Sequence, residues 1–269
     1  MYNKGYIYKG LKPVYWCPHD ETALAEAEIE YQDDPCTTVY VKFRVKDDLG
    51  RLSQYGDLSN MYFVIWTTTI WTLPGNLAIA VHPRESYVLV KADNGELYIV
   101  AEALCAKVMQ AGGFDHYEIV KQFRGQDFEY MKAQHPFLDK ESLLCCAEYV
   151  TMDSGTGCVH TAPGFGADDY ETCKRYKVEL VVPVDDCHTD YAGKYAGLKT
   201  EESNPVILTD LKESGALFAS EEIVHSYPHC WRCKKPIIFR ATPQWFCSVD
   251  SFKDEAVAAC DDVRWVPAW

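Results

Sequence analysis

The sequence predicts a mixed α/β fold, mainly β, in which a closed or barrel-like sheet carries peripheral helices. Three observations predict it. Short apolar or alternating runs bounded by Gly, Pro, Asn and Asp outnumber helical stretches. No regular βαβ alternation appears, which argues against an open parallel sheet. Hydrophobic residues make up 48% of the chain and aromatic ones 13%, enough for a packed core.

Tyr6-Ile-Tyr8, a Lys9-Gly10 turn and Val14 to Cys17 read as a hairpin. Thr22 to Ile29 reads as helical by propensity. Val39 to Val45 alternates at period two and reads as a strand, followed by a turn at Asp47 to Gly50. Met61 to Thr68 reads as a buried strand, and Leu77 to Val81 as another that His82-Pro83 stops. Ser86 to Lys91, a turn at Asp93-Asn-Gly95 and Glu96 to Val100 form a hairpin of the kind Asn-Gly favours. A helix is expected over Ala101 to Ala111, ended by Gly112-Gly113. Further strands are expected at Tyr117–Val120, Leu143–Ala147 and Cys158–His160. Asp168 to Tyr176 and Pro205 to Ser214 read as helices, the second ending at Gly215. From His225 the aromatic, proline-rich segment reads as an extended arm, and Trp265 to Trp269 is an end with no capping chemistry, as in a piece of something larger.

The 269 residues carry a net charge of −14, which argues against a broad nucleic-acid footprint, since that needs a basic face. Contact with a nucleic acid is therefore expected to be local. No export signal opens the chain, so its 12 cysteines are expected to be free thiols of a reducing cytoplasm, some of them free to bind metal. No apolar run is long enough to suggest a membrane span.

Two segments carry the chemistry. Phe63 to Pro74 is an apolar strand that ends in hydroxyls at Thr67, Thr68 and Thr69. Side chains alternate at period two, so three successive threonines put hydroxyls on both faces, and each needs a backbone or ligand partner. Gly155 to Asp169 is a glycine-rich turn that ends in carboxylates, with His160 between. Each residue also has an ordinary reading. Threonine is common in strands. A lone histidine is usually a satisfied core residue. Asp168 or Asp169 fits a helix cap, which on pattern alone is the better reading of the pair. Cys158 with His160 invites a thiol nucleophile, but nothing supplies the third, orienting group.

Pro13 to Pro18, Thr22 to Glu28, Trp71 to Pro83, His135-Pro-Phe137, Pro183 to Asp186 and Arg240 to Phe246, taken with both segments, resemble the isoleucyl-tRNA synthetase family of class I. The match spans nearly the whole chain, and it implies a strand continuing through Glu28 to Tyr31 where propensity reads helix. It corresponds to the editing domain inserted in the catalytic core, with an arm on either side forming a two-armed neck. The resemblance implies an outgoing arm at 1–35 with a partial metal knuckle, an editing core at 36–222, and a returning arm at 223–269 with Cys-x-x-Cys. The valyl and leucyl relatives typically carry Thr-Thr-Arg-Pro, so the third threonine points to the isoleucyl branch. Ile70 and Phe165 depart from the family pattern, standing where proline and a second histidine are usual.

What the resemblance implies is hydrolysis of the ester in mischarged valyl-tRNA(Ile). The isoleucine–valine pair is itself the standard example of the rule invoked, and the figure comes from it: one missing methylene is worth only about 1–3 kcal/mol, so a second sieve is needed. The family motif assigns Asp169 to the substrate ammonium and His160 to a size gate. Thr67, Thr68 and Thr69 become the pocket wall and the donors to the adenosine end and the water. Trp71, Thr72, Gly155, Thr156, Gly157, Gly164 and Asp168 are expected to help bind substrate. No residue stands out as a general base, so attack by a positioned water is expected, with help from a ribose hydroxyl. The partners implied are the acceptor end of tRNA(Ile) carrying valine and the rest of the synthetase chain, with the isolated piece a monomer in the cytoplasm. The His-Ile-Gly-His and Lys-Met-Ser-Lys-Ser signatures are absent, so ATP and Mg²⁺ belong to a synthetic core outside this sequence, and editing itself needs no cofactor.

Cys230-Trp-Arg-Cys233 has metal-knuckle spacing, and Cys17 with His19 or Asp20 could complete a structural zinc site. A relic pair of free thiols fits the spacing too. Two other functions remain open on the sequence: a free-standing deacylase acting in trans, and a zinc-ribbon-like nucleic-acid-binding module. The matching arms speak against the first, and the acidic charge with the Thr/His/Asp set against the second.

Overall fold

The computed structural model describes residues 1–185 and 195–267. Asp186 and Trp269, parts of two motifs quoted above, lie outside that set. The chain opens with β1 (Ile7–Cys17) and β2 (Thr22–Leu24), then β3 (Ile29–Asp47) and β4 (Met61–Thr67). A buried 3₁₀ segment, Ile70–Gly75, leads to β5 (Ala78–Val81). Next come β6 (Ser86–Ala92), β7 (Leu97–Ala101), α1 (Cys105–Ala111), β8 (Tyr117–Arg124), β9 (Lys132–Gln134), β10 (Glu141–Cys146) and β11 (Cys158–Thr161). The chain continues with α2 (Ala167–Arg175), α3 (Thr200–Glu213), β12 (Leu217–Cys230), β13 (Ile238–Cys247) and α4 (Lys253–Ala259).

Six strands close on themselves. Round the ring the order is β3, β9, β10, β5, β11 and β4, and β4 returns to β3. The closure rests on β3, whose Arg44 faces Tyr62 of β4 and Gln134 of β9. The expected barrel is therefore real. Outside the ring, β7, β6 and β8 continue the sheet from β4, and β12 lines the free edge of β3. Val41, Phe43, Val45, Phe63, Ile65, Ile79 and Leu144 are wholly buried in one core. Burying each such side chain contributes about 1.5–3 kcal/mol relative to exposure. Edge-to-face contacts of Phe128 with Phe63 and Tyr87 tie the outer sheet to the ring.

Three expectations need correction. The hairpin at Tyr6–Cys17 does not form: β1 is one strand that pairs antiparallel with β13, and Gly10 sits opposite Gln244. A partner more than two hundred residues away outcompetes the local turn. Thr22 to Ile29 is not a helix. β2 pairs with β1 (Trp16 opposite Ala23), a 3₁₀ turn covers Glu26–Glu28, and β3 begins at Ile29. Propensity differences of a few tenths of a kcal/mol per residue yield to that pairing. α3 starts at Thr200, five residues before Pro205, which lies inside the helix. The segment after His225 is extended as expected, but it is the far half of β12, paired with β3 down to Cys230 opposite Ile29. The residues 35/36 and 222/223 fall within these two paired strands. No helix among the described residues is long and apolar enough to cross a membrane.

Candidate active site

The ring sets the site. β4 and β11 run parallel, with Trp66 beside Val159, so the hydroxyl-bearing end of β4 lies next to His160. From Thr67 a directed hydrogen-bond chain begins. Thr67 Oγ1 accepts from the Thr69 N–H (3.1 Å) and lies 3.2 Å from Thr69 Oγ1. Thr72 Oγ1 donates to the Thr69 carbonyl (2.8 Å) and lies 3.0 Å from His160 Nε2. On the other side of the ring, Asn76 Nδ2 donates to the Ala78 carbonyl and to His160 Nδ1, at 2.8 and 2.7 Å. Ser142 donates to Asn76 Oδ1.

These partners fix the tautomer by inference from the network. Asn76 Nδ2 can only donate, so Nδ1 accepts. Thr72 spends its own proton on Thr69, so Nε2 carries the imidazole proton and donates to Thr72 Oγ1. Burial holds the imidazole neutral, with a pKa lowered to about 3. A histidine engaged at both nitrogens is a fixed wall, not a free base. Cys158 is no nucleophile either. Its thiol is buried against the Ile99 carbonyl, and desolvation pushes its pKa far up.

The glycine turn is a close-approach loop. Gly155 and Gly157 have φ of +76° and +78°, and a Cβ on Gly157 would lie 2.3 Å from Ala101 Cβ. Tyr87 donates to the Gly157 carbonyl, and the Ala101 N–H to the Thr156 carbonyl. Asp169 lies in the first turn of α2 but does not cap it: the N-cap is Gly166, with no side-chain cap. Its carboxyl accepts instead from the Ala162 N–H at 2.8 Å. Burial raises its pKa to about 7, opposed by the Ala162 hydrogen bond and assisted by Asp168. The group is thus poised between its two charge states near neutral pH.

Thr67, Thr68, Thr69, Thr72, Gly155, Thr156, Gly157, His160 and Asp169 all line one cleft of about 310 Å³. Trp71, Gly164 and Asp168 do not. Trp71 turns away, packing edge-on against Phe165 at 4.9 Å. Gly164 is a packing glycine: a Cβ there would lie 2.6 Å from the Val181 carbonyl. Asp168 is exposed on α2. Sequence reasoning missed Asn76, although it stands in the Trp71–Pro83 motif. It also missed Tyr149, Thr151 and Ser154, polar residues clustered just before the glycine turn that join the cleft wall. Trp66, which lines the cleft, has a buried Nε1 with no hydrogen-bond partner among the described residues.

A second cluster lies where the end of β1 meets the turn between β12 and β13. Ligand atoms of Cys17, Asp20, Cys230 and Cys233 lie within 4.8 Å of one another. Cys17 Sγ is 3.5 Å from Cys233 Sγ, and Cys230 Sγ is 3.4 Å from Asp20 Oδ2. A tetrahedral zinc with sulfur ligands at about 2.3 Å sets its ligand atoms about 3.7 Å apart, close to the separations here, so three thiols and a carboxylate fit it. His19 is not in the cluster; it lines a small cavity beside Lys199.

Compared with known proteins, the whole chain, residues 1–269, matches the family of class I tRNA synthetases (I, L, M and V). It is 55% identical to the isoleucine–tRNA ligase of Caldicellulosiruptor bescii over 273 aligned residues, covering 100% of this chain and 30% of that one. Against the isoleucine–tRNA ligase of Thermoanaerobacter sp. the identity is 56%, over 100% of this chain and 29% of that one. The chain thus spans about 30% of the length of these relatives. Among solved structures, the cytosolic leucyl-tRNA synthetase editing domain of P. knowlesi aligns with a TM-score of 0.55 at 12% identity, over 71% of this chain and 97% of that one. That of P. falciparum aligns at 0.54 and 12%, over 67% and 98%. The fold is that of these editing domains.

The Asp169 geometry yields a pH test. The folded pKa lies above the unfolded value, so the carboxyl contributes stability at low pH that is lost as pH rises from about 4 through 7. Asp169→Asn keeps the bond from Ala162 without the charge. Thermal melts should show the two proteins alike at pH 4 and the variant a few degrees more stable at pH 8. A difference independent of pH would mean the carboxyl titrates normally.

Proposed function

This chain belongs to the class I tRNA synthetases, and from that premise we propose that it is the editing segment of an isoleucyl enzyme, hydrolysing valyl-tRNA(Ile). One observation carries the reading: a half-buried carboxylate held by a backbone N–H and a doubly anchored neutral histidine line one hydroxyl-rich cleft. The fold of the editing-domain structures and the isoleucine-ligase relatives support it. Ligation of isoleucine with ATP and Mg²⁺ belongs, on this reading, to the parts of the relatives that this chain does not span, and the protein works in the cytoplasm.

The carboxylate of Asp169 takes the ammonium of the esterified amino acid. An ammonium there replaces the lost hydration and draws the carboxyl into its ionised form. Thr67, Thr68 and Thr69 offer hydroxyls to the ester end and to a water. The water adds to the ester carbonyl, the bond from carbonyl carbon to ribose oxygen breaks, and the ribose hydroxyl leaves with a proton. His160 supplies no proton, because both its nitrogens are committed. It excludes: its ring, braced by Asn76 and Thr72, leaves no room for the extra methylene of isoleucine. The cluster of Cys17, Asp20, Cys230 and Cys233 would hold zinc as a structural clip that pins the outgoing and returning strands together, with no catalytic part.

Two experiments check this reading. Asp169→Ala should lower deacylation of valyl-tRNA(Ile) by at least about tenfold and gain nothing toward isoleucyl-tRNA(Ile). His160→Ala should acquire isoleucyl-tRNA(Ile) hydrolysis, with a stability loss of about 1–3 kcal/mol for the stranded Asn76 and Thr72 groups. A folded His160→Ala that still spares isoleucyl-tRNA(Ile) would remove the gate, and unimpaired valine editing by Asp169→Ala would remove the ammonium role. For the clip, elemental analysis of protein prepared without chelator should find about one zinc per chain. That zinc should vanish on joint Cys230→Ser and Cys233→Ser substitution, and retention would place it elsewhere.

A further inference from the structure

Thr72 and Asn76 hold the His160 ring at its two nitrogens, and Leu73, Pro74 and Gly75 are the span between them. The span belongs to six residues of 3₁₀ structure, longer than such turns usually run, and Pro74 brings no N–H. Its own bonds are the Thr72 N–H to the Thr69 carbonyl at 3.3 Å and the Asn76 N–H to the Leu73 carbonyl at 2.9 Å. The loop between β9 and β10 grips it from outside. His135 is buried, with Nε2 2.9 Å from the Leu73 carbonyl. A carbonyl only accepts, so Nε2 carries the proton, and Nδ1 accepts from the Leu138 N–H at 3.1 Å. Phe43 and Phe137 stand edge-on to this ring at 5.7 and 4.7 Å, and burial keeps it neutral, with a pKa lowered to about 3. Lys140 Nζ donates to the next carbonyl, that of Pro74. The two arms are tied together, because the His135 N–H donates to the Lys140 carbonyl at 2.9 Å and Gln134 Nε2 to the same oxygen at 3.0 Å. Two residues further on, Ser142 donates to Asn76 Oδ1.

We propose that His135 and Lys140 are positioning residues of the size gate. The inference rests on the deacylase reading of the cleft. Neither residue is among those that line the cleft, so both act through the main chain. Two adjacent carbonyls held from one loop fix the course of the chain between Thr72 and Asn76, and with it the spacing of the two grips on His160. A gate that rejects a single methylene works only while both grips stay in place. A displacement of about 1 Å, which can cost about a hundredfold in rate, is on the scale of the group to be rejected. The Lys140 bond is the stronger arm, because a charged donor makes a hydrogen bond roughly twice as strong as a neutral one. Burial lowers the Lys140 pKa to about 8, which leaves the amine mostly charged at neutral pH.

Three variants of the whole chain test this. Lys140→Met keeps the aliphatic stem and removes the donor, Lys140→Arg keeps a charged donor, and His135→Gln keeps a donor without the ring. Hydrolysis of valyl-tRNA(Ile) and isoleucyl-tRNA(Ile) is measured on the same preparation, so any unfolded fraction cancels in their ratio. Lys140→Met and His135→Gln should each raise isoleucyl over valyl hydrolysis about fivefold, and lower kcat for the valyl ester with little change in KM. Lys140→Arg should stay near the parent ratio. A merely structural role would lower the melting temperature and scale both rates alike. An unchanged ratio in Lys140→Met, or the same change in Lys140→Met and Lys140→Arg, would overturn the proposal. The ¹⁵N signals of the His160 imidazole give a second readout, and they should shift in Lys140→Met. A parent chain that hydrolyses neither ester would sink the deacylase reading, and the imidazole signals then decide the brace alone: signals that stay put in both Lys140→Met and His135→Gln overturn it.

Discussion

Everything at the site depends on closing the six-stranded ring. Thr72 and His160 are 88 residues apart in sequence and meet only because β4 and β11 lie side by side. Asn76 reaches the other imidazole nitrogen because β5, which follows it, pairs with β11 on the far side (Ile79 opposite His160). The hydrogen-bond chain from Thr69 through Thr72, His160 and Asn76 to Ser142 is therefore a product of strand register. A slip of one residue in β11 would turn His160 to the other face and leave several buried polar groups unpaired.

That chain divides the electrostatic labour of the cleft. His160, satisfied at both nitrogens and desolvated, stays neutral and rigid. Asp169 is also desolvated but has one backbone donor among the described residues, so its charge is costly. On the proposed reading, the wall is inert and a ligand's cation completes the carboxylate. A net charge of −14 fits such local recognition better than a broad hold on nucleic acid.

Much of this was legible in the sequence, for identifiable reasons. Strands with strong apolar or alternating patterns, such as Met61–Thr67 and Ser86–Ala92, emerged within a residue or two, since burial and pattern agree there. β1, β2 and the start of β3 did not, because their pairing partners are distant and their local signals, Lys9-Gly10 and an Ala/Glu-rich stretch, point to other structures. At the site, Thr67 to Thr69, Thr72, His160 and Asp169 were visible as residue types in a family motif. Direction was not visible: the 3₁₀ segment from Ile70 turns Trp71 out of the cleft and Thr72 into it, and α2 exposes Asp168 while turning Asp169 inward. Asn76 was hidden because a buried amide has no periodic signature. Asp20 among three thiols was foreshadowed by spacing alone, and only the fold chose it over His19.

The central claim is that His160 is a neutral ring locked by partners at both nitrogens. The direct measurement is ¹⁵N NMR of the imidazole from pH 4 to 8. The account predicts an Nε2–H tautomer whose shifts do not change across that range, with Nδ1 showing the shift of a hydrogen-bonded acceptor. A titration near the ordinary histidine value of about 6.5, or an Nδ1–H tautomer, would contradict it.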